Sequence, residues 1–444
     1  MLQSFNKMKG KSKDLAIEIE RLETEWIEML QNVKSPQTDE FYMQCIYRVP
    51  PNIRESNPKA YTPQILSIGP YHHKTCSLSK KDNNFEAMEE LKLKYLKGFL
   101  DRTGLPMREF VVKIKEMEES NIIRSCYADT IKCNSDDFLK MILLDACFII
   151  ELFLRWNNNS EWKGKDPLML NPWMLTYVDL DLLLLENQLP FCVLEKLHNL
   201  TGMDEKFLDI TFSYFGNRLF GNVCPGESPK HFNDLLRTSI ISSSKLGLGK
   251  PEECKQIIKH VYSASQLMEA GLEFKLSPNK SLLDLTYSKY GVLSMPSLDI
   301  HDNSEVLFRN IMQYEHCHFS ATSIVTQYLA ILDFLINTEK DVNILVDKKI
   351  IVNWTGDANK VATMINDLSS QLHMPFFNSH YFSLCNNLND FYENPCNKYK
   401  AIFIHDYFNT PWKIASTTAA IMLLFLTFIQ TVCSIVSLFR GKKS

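Results

Sequence analysis

The chain has 444 residues, of which 45% are apolar and 23% are charged. Such a composition supports a folded core and excludes a wholly disordered chain. The net charge is −4, and four of the positive charges flank one apolar segment near the C-terminus, so the rest of the chain is more acidic than the total. An acidic body excludes nucleic acid as the main partner, because phosphate binding needs a basic surface.

The first predicted element is an amphipathic helix over residues 11–34, within an N-terminal segment of residues 1–34. Its apolar residues are spaced four and three apart, which is the pattern of a heptad seam, and acidic residues occupy the other faces. They are Leu15, Ile19, Leu22, Trp26, Met29 and Val33. Fewer than three heptads do not make a coiled coil alone, so we expect the helix to dock on the body or on a partner helix, with the first four of these residues as candidate interaction sites.

A helical globular body is predicted over residues 35–410. Five prolines between Pro50 and Pro70 predict that residues 45–80, here called the proline-rich segment, form an extended stretch wrapped over the body. The helices predicted next lie at 84–101, 138–155 and 175–198. The second is apolar on nearly all sides, as expected of a central buried helix, and the third must kink or restart near Pro190.

Residues 200–260 are polar and contain Pro225, Pro229 and a run rich in serine and glycine, so they are the best candidate for an insertion or a domain boundary. Three alternating stretches then predict a small sheet at 272–276, 282–288 and 291–300. Further helices are predicted at 304–317, 320–337, 357–372 and 381–392. The predicted fold class is mainly α: a multi-helix globular body with a minor β patch and one C-terminal transmembrane helix.

Residues 414–439 contain no charged residue and form, as a helix, a rod of about 39 Å against a hydrocarbon core of about 30 Å. Trp412 precedes the segment, where an indole favours the headgroup level, and Arg440 opens a basic tail of residues 440–444. The stretch from Ile414 to Phe439 is therefore the predicted membrane anchor. A buried core helix is the alternative, and the length and the basic end argue against it.

Two arguments about the orientation of the body conflict. The N-terminus has no apolar run of the signal-peptide kind, so a span this near the C-terminus inserts after synthesis and leaves the body in the cytosol. The positive-inside tendency instead places the basic tail in the cytosol. Because a tail of five residues can be translocated, the cytosolic body is weakly favoured, and plasma membrane and endomembrane both stay open.

Twelve cysteines are scattered from Cys45 to Cys433 without a CxxC pair, which favours reduced, mostly buried thiols over a disulfide framework. Four Asn-x-Ser/Thr sequons also occur, about as many as chance gives, and they decide nothing about the compartment. They begin at Asn158, Asn199, Asn279 and Asn353.

No catalytic or nucleotide-binding motif is found in the sequence. The histidines of Tyr314–His318 have zinc-binding chemistry, but they are two residues apart and diverge by about 200° around a helix, so they cannot share one ion. His72 and His73 are interpreted as loop residues, and Asp179 as a helix cap or a buried hydrogen-bonding group. No cofactor, catalytic residue or metal ligand is predicted.

Glu186, Asn187 and Gln188 stand between leucines inside an apolar stretch. Polar groups in such a place need buried partners, because an unpaired one loses its hydration without compensation. We therefore expect these three side chains to tie the proline-rich segment to the core.

Several strings spread along the chain resemble a known family, called domain of unknown function 247, of uncharacterised plant membrane proteins. They include IYRVPPNIRE (46–55), AYTPQILSIGPYHH (60–73), MILLDACFIIELF (141–153), DLLLLENQLPF (181–191) and PWKIASTTAAIMLLFLTFIQT (411–431). The chain departs from the family pattern at His73-Lys74 and at Glu315-His316. The resemblance implies an α-helical, plant-restricted protein with a C-terminal anchor and no established enzymatic activity; some grass members are implicated in pollen self-incompatibility as partners of small secreted proteins.

These observations predict a membrane-anchored protein that acts by protein–protein recognition or signalling. Its expected partners are the membrane, through the C-terminal helix, and an unidentified protein. The alternative is an unrecognised membrane-bound enzyme with Asp179, His72 or His316 near a cleft.

Overall fold

The computed structural model describes residues 18–30, 44–74, 85–162, 164–216, 224–244, 257–279, 281–319, 322–369, 376–408 and 411–441. Helices dominate these residues, which confirms the predicted fold class. In the first half they are α1 (18–30), α2 (Pro51–Arg54), α3 (Glu86–Thr103), α4 (Met107–Glu119), α5 (Ser135–Asn157), α6 (Asn159–Trp162), α7 (Pro172–Leu183), α8 (Phe191–Leu200), α9 (Phe207–Phe215), α10 (Phe232–Ser242) and α11 (Ala264–Glu269). Single 3-10 turns lie at Pro58–Tyr61 and Arg124–Cys126.

The second half begins with the β patch and ends with the longest helix. Its strands are β1 (Glu273–Leu276), β2 (Thr286–Ser288), β3 (Val292–Met295), β4 (Leu298–Ile300) and, later in the chain, β5 (Ile351–Asn353). Its helices are α12 (Ser304–His318), α13 (Ile324–Leu335), α14 (Glu339–Asp347), α15 (Ala358–Ser369), α16 (Ser379–Glu393), α17 (Pro395–Phe408) and α18 (Pro411–Gly441).

The strands form two small sheets, as the alternating stretches predicted. In the first, β3 is central, with β1 parallel on one side and β2 antiparallel on the other. In the second, β4 pairs in parallel with β5. Both sheets are short because their strands have three or four residues each, so they extend the helical core without replacing it.

Helix α5 is the centre of the first half, and it contacts α3, α4, α8 and α9. Its N-cap is Asn134, whose side chain accepts a hydrogen bond from the Asp137 amide at 2.8 Å. The run from Ala146 to Ile150 is fully buried, which confirms the prediction of a central helix. One continuous core includes buried residues from Cys45 to Leu388.

Charged residues of α5 are buried as ion pairs. Lys92 on α3 donates to Asp145 at 2.6 Å, and Glu151 accepts from Arg155 at 2.7 Å and from Arg102 at 2.9 Å. A buried charge without a partner is strongly destabilising, and pairing removes that penalty. This arrangement explains how a helix that buries Asp145, Glu151 and Arg155 lies inside the body and not in a membrane.

The helix predicted over 175–198 is two helices. Residues 184–190 between α7 and α8 are buried but not helical, so the break is seven residues wide and begins well before Pro190. The cause is local: Gln188 donates from Nε2 to the carbonyls of Leu182 and Leu184, at 2.6 and 2.7 Å. In a continuing helix these carbonyls would accept from backbone amides, so the Gln188 side chain replaces the helical hydrogen bonds. The prediction of a restart is confirmed, and its position is corrected.

The polar range 200–260 contains core helices. Phe207 and Phe215 on α9 and Phe232 on α10 are buried, and α10 contacts both α7 and α12. Parts of the range, residues 217–223 and 245–256, lie outside the described residues. An insertion or boundary therefore stays a prediction only for the stretches between these helices.

The cysteine prediction is confirmed in most places and wrong in one. Nine described cysteines are free, among them the buried Cys45, Cys126, Cys147 and Cys385. Cys133, which lies just before α5, is disulfide-bonded, and its partner lies outside the described residues. Spacing along the chain could not reveal this bond, because only the fold brings distant cysteines together.

Gly69 in the proline-rich segment provides a test of the packing. Its φ is +68°, and a Cβ added there lies 2.5 Å from the Gln188 carbonyl oxygen. Gly104 at the C-terminus of α3 has nearly the same φ, +65°, but no atom within 4 Å. We expect Gly69→Ala to lower the free energy of unfolding by about 3 kcal/mol and Gly104→Ala by about 1 kcal/mol. Alanine is strained by the positive φ at both positions, but only at position 69 does its Cβ also clash with a neighbouring atom. Urea denaturation of the full chain in detergent measures both; equal losses would contradict the close approach at Gly69.

Candidate functional site

The proline-rich segment is held by side chains of residues 184–190. Glu186 Oε1 accepts from the Val49 amide at 2.6 Å, and its Oε2 pairs with Arg54 and lies 3.2 Å from His72 Nε2. Asn187 accepts from the Ile68 amide at 2.7 Å. These contacts confirm the prediction that Glu186 and Asn187 tie this segment to the core.

Further acids complete this buried polar cluster, which we define as Asp145, Asp181 and Glu186–Gln188. The Asp181 carboxylate accepts from three successive amides, those of Gln64, Ile65 and Leu66, at 2.8 to 3.1 Å. Asp145 accepts from the Gly69 amide at 2.8 Å. An extended segment without a strand partner needs such acceptors, because buried backbone amides must be satisfied.

Burial and hydrogen bonding compete for the charge of these acids. Burial raises the pKa of Asp181 to about 6, although the amides of Ile65, Gln64 and Leu66 oppose the rise. Burial also raises the pKa of Glu186, but the hydrogen bond to His72 and the charge of Arg54 outweigh it, and the net pKa is lowered. Glu186 is therefore a charged anchor, and His72 is one of its structural partners.

The other candidate groups for chemistry also have structural roles. Asp179 accepts a hydrogen bond from the Tyr214 hydroxyl at 2.5 Å, which confirms its interpretation as a buried hydrogen-bonding group. His318 Nδ1 lies 2.8 Å from the Tyr47 hydroxyl, so it joins α12 to the start of the proline-rich segment. The described residues contain no group of three His, Cys, Asp or Glu side chains that could hold a metal ion.

A cleft of about 330 Å³ lies between the start of α12 and α15. Its polar lining is mostly acidic and includes Asp302, Glu305, Asp357 and Asp367, with Lys360 beside them. Asp179, His72 and His316, on which the enzymatic alternative depended, are not among its lining residues. The structure therefore gives that alternative no assembled site in the described residues.

Helix α1 is exposed along its entire described length. Ile19 is 56% exposed and Trp26 is 61% exposed, and Leu22 and Met29 on the same seam are also exposed. The expected docking on the body is therefore absent over residues 18–30. Leu15 and Val33, the ends of the predicted seam, lie outside the described residues.

The charges of α1 are almost all negative. Five glutamates and one arginine occupy residues 18–30, and the arginine, Arg21, pairs with Glu25 one turn later at 2.7 Å. With Ile19 and Trp26 at heptad position a, Glu18, Glu23 and Glu25 occupy the e and g positions that flank the seam. An apolar seam between acidic flanks is thus exposed to solvent.

Helix α18 carries the predicted anchor. Within the described residues it is the one helix long and apolar enough to cross a membrane, with a mean hydropathy of 2.0 over its best stretch and none of that stretch buried. Near the start of this helix, Trp412 is 85% exposed, and Ile414, the first residue of the predicted anchor, is also exposed. The helix continues through Phe439 and Arg440.

Two exposed aromatic surfaces were missed from the sequence. On α7, which begins before the predicted helix of residues 175–198, Trp173 and Tyr177 are exposed and form an edge-to-face pair at 6.2 Å. On α17, which was not predicted at all, Tyr399, Phe403 and Tyr407 are exposed. Their spacing of four residues was the available signal, since it places all three on one side of a helix.

The fold and these surfaces define a mainly helical body with one candidate membrane span and an exposed acidic helix at the opposite end of the chain. A family described as "plant protein of unknown function", domain of unknown function 247, matches residues 46–426. The chain belongs to this family. The matched range includes the whole polar cluster and most of α18, but not α1.

Two curated relatives, both from Arabidopsis thaliana, are similar over almost the full chain. UPF0481 protein At3g47200 is 29% identical over 427 residues, which cover 90% of this chain and 88% of the relative. Putative UPF0481 protein At3g02645 is 21% identical over 515 residues, which cover 92% and 94%. No solved structure matches the chain.

The role of Glu186 is testable through pH. We expect Glu186→Gln to lower the free energy of unfolding by about 2 kcal/mol at pH 7, because Arg54 and the Val49 amide lose a charged acceptor. The folded pKa of Glu186 is lowered, so its stabilisation is complete above the unfolded value of about 4.3 and is lost as the pH falls through the folded pKa. The gap between wild type and variant should therefore close in acid.

Urea denaturation of the full chain in detergent at a series of pH values measures this gap. Glu90→Gln on the exposed face of α3 is the matched control, and it should leave the denaturation midpoint unchanged. A gap that is the same at pH 7 and pH 3 would contradict the charged anchor.

Proposed function

We propose that the protein is a membrane-tethered recognition protein whose helix α1 binds an amphipathic helix of another protein. The observation that carries this proposal is the exposed seam of α1, formed by Ile19, Leu22, Trp26 and Met29. Tryptophan and other large apolar side chains supply most of the binding free energy in protein interfaces, and here they are exposed. Recognition or signalling of this kind needs no cofactor.

The flanks of the seam define the chemistry of the partner. If α1 paired with a second copy of itself in parallel, Glu18 of each helix would face Glu23 of the other; in an antiparallel pair, glutamates would again face glutamates. Like charges at these positions are unfavourable. A partner helix with an apolar seam can pack on the seam of α1, and lysine or arginine on its flanks can pair with the glutamates.

A lipid surface is a poor fit for the same face. Amphipathic helices that bind membranes carry basic residues on the polar side, and five glutamates are repelled by anionic headgroups. The membrane span α18 contributes to partner binding in another way. Confinement of α1 and its partner to one membrane raises their effective concentration, so a short helix can form a useful complex with modest affinity.

Binding to designed helical peptides tests this proposal. We expect the full chain in nanodiscs to bind a peptide with a leucine seam and lysine flanks at least tenfold more tightly than the same peptide with glutamate flanks, with a preference that shrinks as salt rises. Trp26→Ala should weaken binding of the lysine peptide about tenfold or more. Fluorescence anisotropy of labelled peptide gives both affinities.

Thr24→Ala is the control, because residue 24 lies on the side of α1 opposite the seam and should leave the affinity unchanged. Equal affinity for the two peptides would contradict the acidic-flank argument. Unchanged affinity in Trp26→Ala, or self-association of the chain that Trp26→Ala abolishes, would contradict the proposed binding mode.

For the orientation we propose a cytosolic body, supported by the nine free cysteines of the described residues, which a reducing compartment favours. The disulfide of Cys133 is then one of the redox-sensitive bonds that occur in cytosolic proteins. Protease protection on sealed, cytosol-outside vesicles tests this, with one tag before Met1 and another after Ser444. Digestion of the first tag alone is the expected result, and protection of that tag would place the body on the other side.

A further inference from the structure

One side of α17 is a second exposed apolar surface, and its position in the chain restricts what can lie against it. Tyr399, Ile402, Phe403 and Tyr407 are each about half or more exposed, and the rings of Phe403 and Tyr407 lie 5.2 Å apart. Two residues separate the end of α17 from the start of α18. The surface therefore lies directly before the predicted membrane span.

The opposite side of α17 is fixed to the body. Gly271, which precedes β1, is so close that an added Cβ would lie 3.1 Å from the Ala401 Cβ. Lys398 lies over the ring of Tyr392 on α16, with its Nζ 4.3 Å from the centroid. Helix α17 is thus attached to the body along one side and exposes aromatic rings on the other.

The junction with α18 is also defined. The Thr417 hydroxyl on the second turn of α18 donates to the Tyr407 carbonyl at 3.1 Å. If α18 enters the membrane near Ile414, this bond keeps the end of α17 at the level of the headgroups. Trp412 lies at the same level, where indole and phenol rings are favoured because they combine an apolar body with a polar group.

The charges near this surface suit an anionic bilayer. Lys400 and Lys413 lie on or next to α17, and Asp406 is the carboxylate on the same helix. Lysines close to a membrane surface gain from its negative potential, and their long aliphatic stems can lie along the apolar region. Both the aromatic rings and the charges therefore match a headgroup layer.

We propose that the exposed side of α17 lies in the headgroup layer of an anionic bilayer and holds the body against the membrane in one orientation. The span α18 alone would leave the body free to tilt. With α17 bound to lipid and to the body at Gly271, the β1 end of the body faces the membrane. The proposal depends on the tether by α18 but not on the partner of α1.

Photo-crosslinking of the full chain in nanodiscs made of phosphatidylcholine and phosphatidylserine tests this contact. The crosslinking amino acid p-benzoylphenylalanine replaces Phe403 in one variant and Trp173, an equally exposed aromatic residue on α7, in the control. We expect lipid adducts at position 403, at least tenfold more abundant than at position 173, with a phosphatidylserine share above its mole fraction. Mass spectrometry of the digested protein identifies the adducts.

Lys400→Gln combined with Lys413→Gln should return the phosphatidylserine share to its mole fraction while adducts at position 403 persist. A crosslink from position 403 to a second copy of the chain, or no adduct there, would overturn the proposal. Failure of α18 to insert is distinguishable, because the chain would then not copurify with nanodiscs at all.

Discussion

The structure depends on one constraint: the non-helical stretch from Gln64 to Gly69 lies against helices without a strand partner, so its buried backbone amides need side-chain acceptors. The amides of Gln64, Ile65 and Leu66 meet a single carboxylate on α7, and that of Ile68 meets Asn187. This explains why α7 and α8 are separate helices. The residues between them provide side-chain acceptors at positions where a continuous helix would have turned them elsewhere.

The same constraint gives the most suggestive chemical residues structural partners. His72, Glu186, Asp181 and Asp179 are close to other polar groups because each satisfies a buried donor or charge. Perturbed pKa values occur at active sites and at structural ion pairs alike. Here the hydrogen bonds account for the acids, and the acidic cleft next to α12 lies elsewhere. What the body presents to other molecules is then its exposed surfaces, α1 and the aromatic side of α17.

Much of this could be predicted from the sequence, for identifiable reasons. The central helix α5 was predicted because it is apolar on all sides, and the anchor because it is long and uncharged. The ties from Glu186 and Asn187 to the proline-rich segment followed from the cost of burying polar groups among leucines. The prediction was wrong for Gln188, whose side chain bonds to Leu182, Leu184 and Phe232 instead. In each case a strong local pattern carried the information.

The errors arose where local pattern and tertiary contact diverge. Residues 200–260 have a polar average composition, which hid the two core helices that contain Phe207, Phe215 and Phe232; an insertion between these helices stays a prediction. The disulfide of Cys133 and the exposure of Tyr399 depend on which segments meet in space, which periodicity does not encode. The exposure of α1 could not be predicted from periodicity either, because the same apolar seam suits packing against the body or binding to a partner.

Hydrogen exchange of the full chain in nanodiscs, without any partner, tests the central claim most directly. The account predicts that the amides of Val49, Leu66 and Ile68 exchange as slowly as those of α5, because buried side chains hold them. It also predicts that the amides of residues 18–30 exchange orders of magnitude faster, because α1 is exposed along its whole described length. Slow exchange in α1, or fast exchange at Leu66 and Ile68, would contradict an account in which the buried polar cluster secures the body and leaves α1 free for a partner.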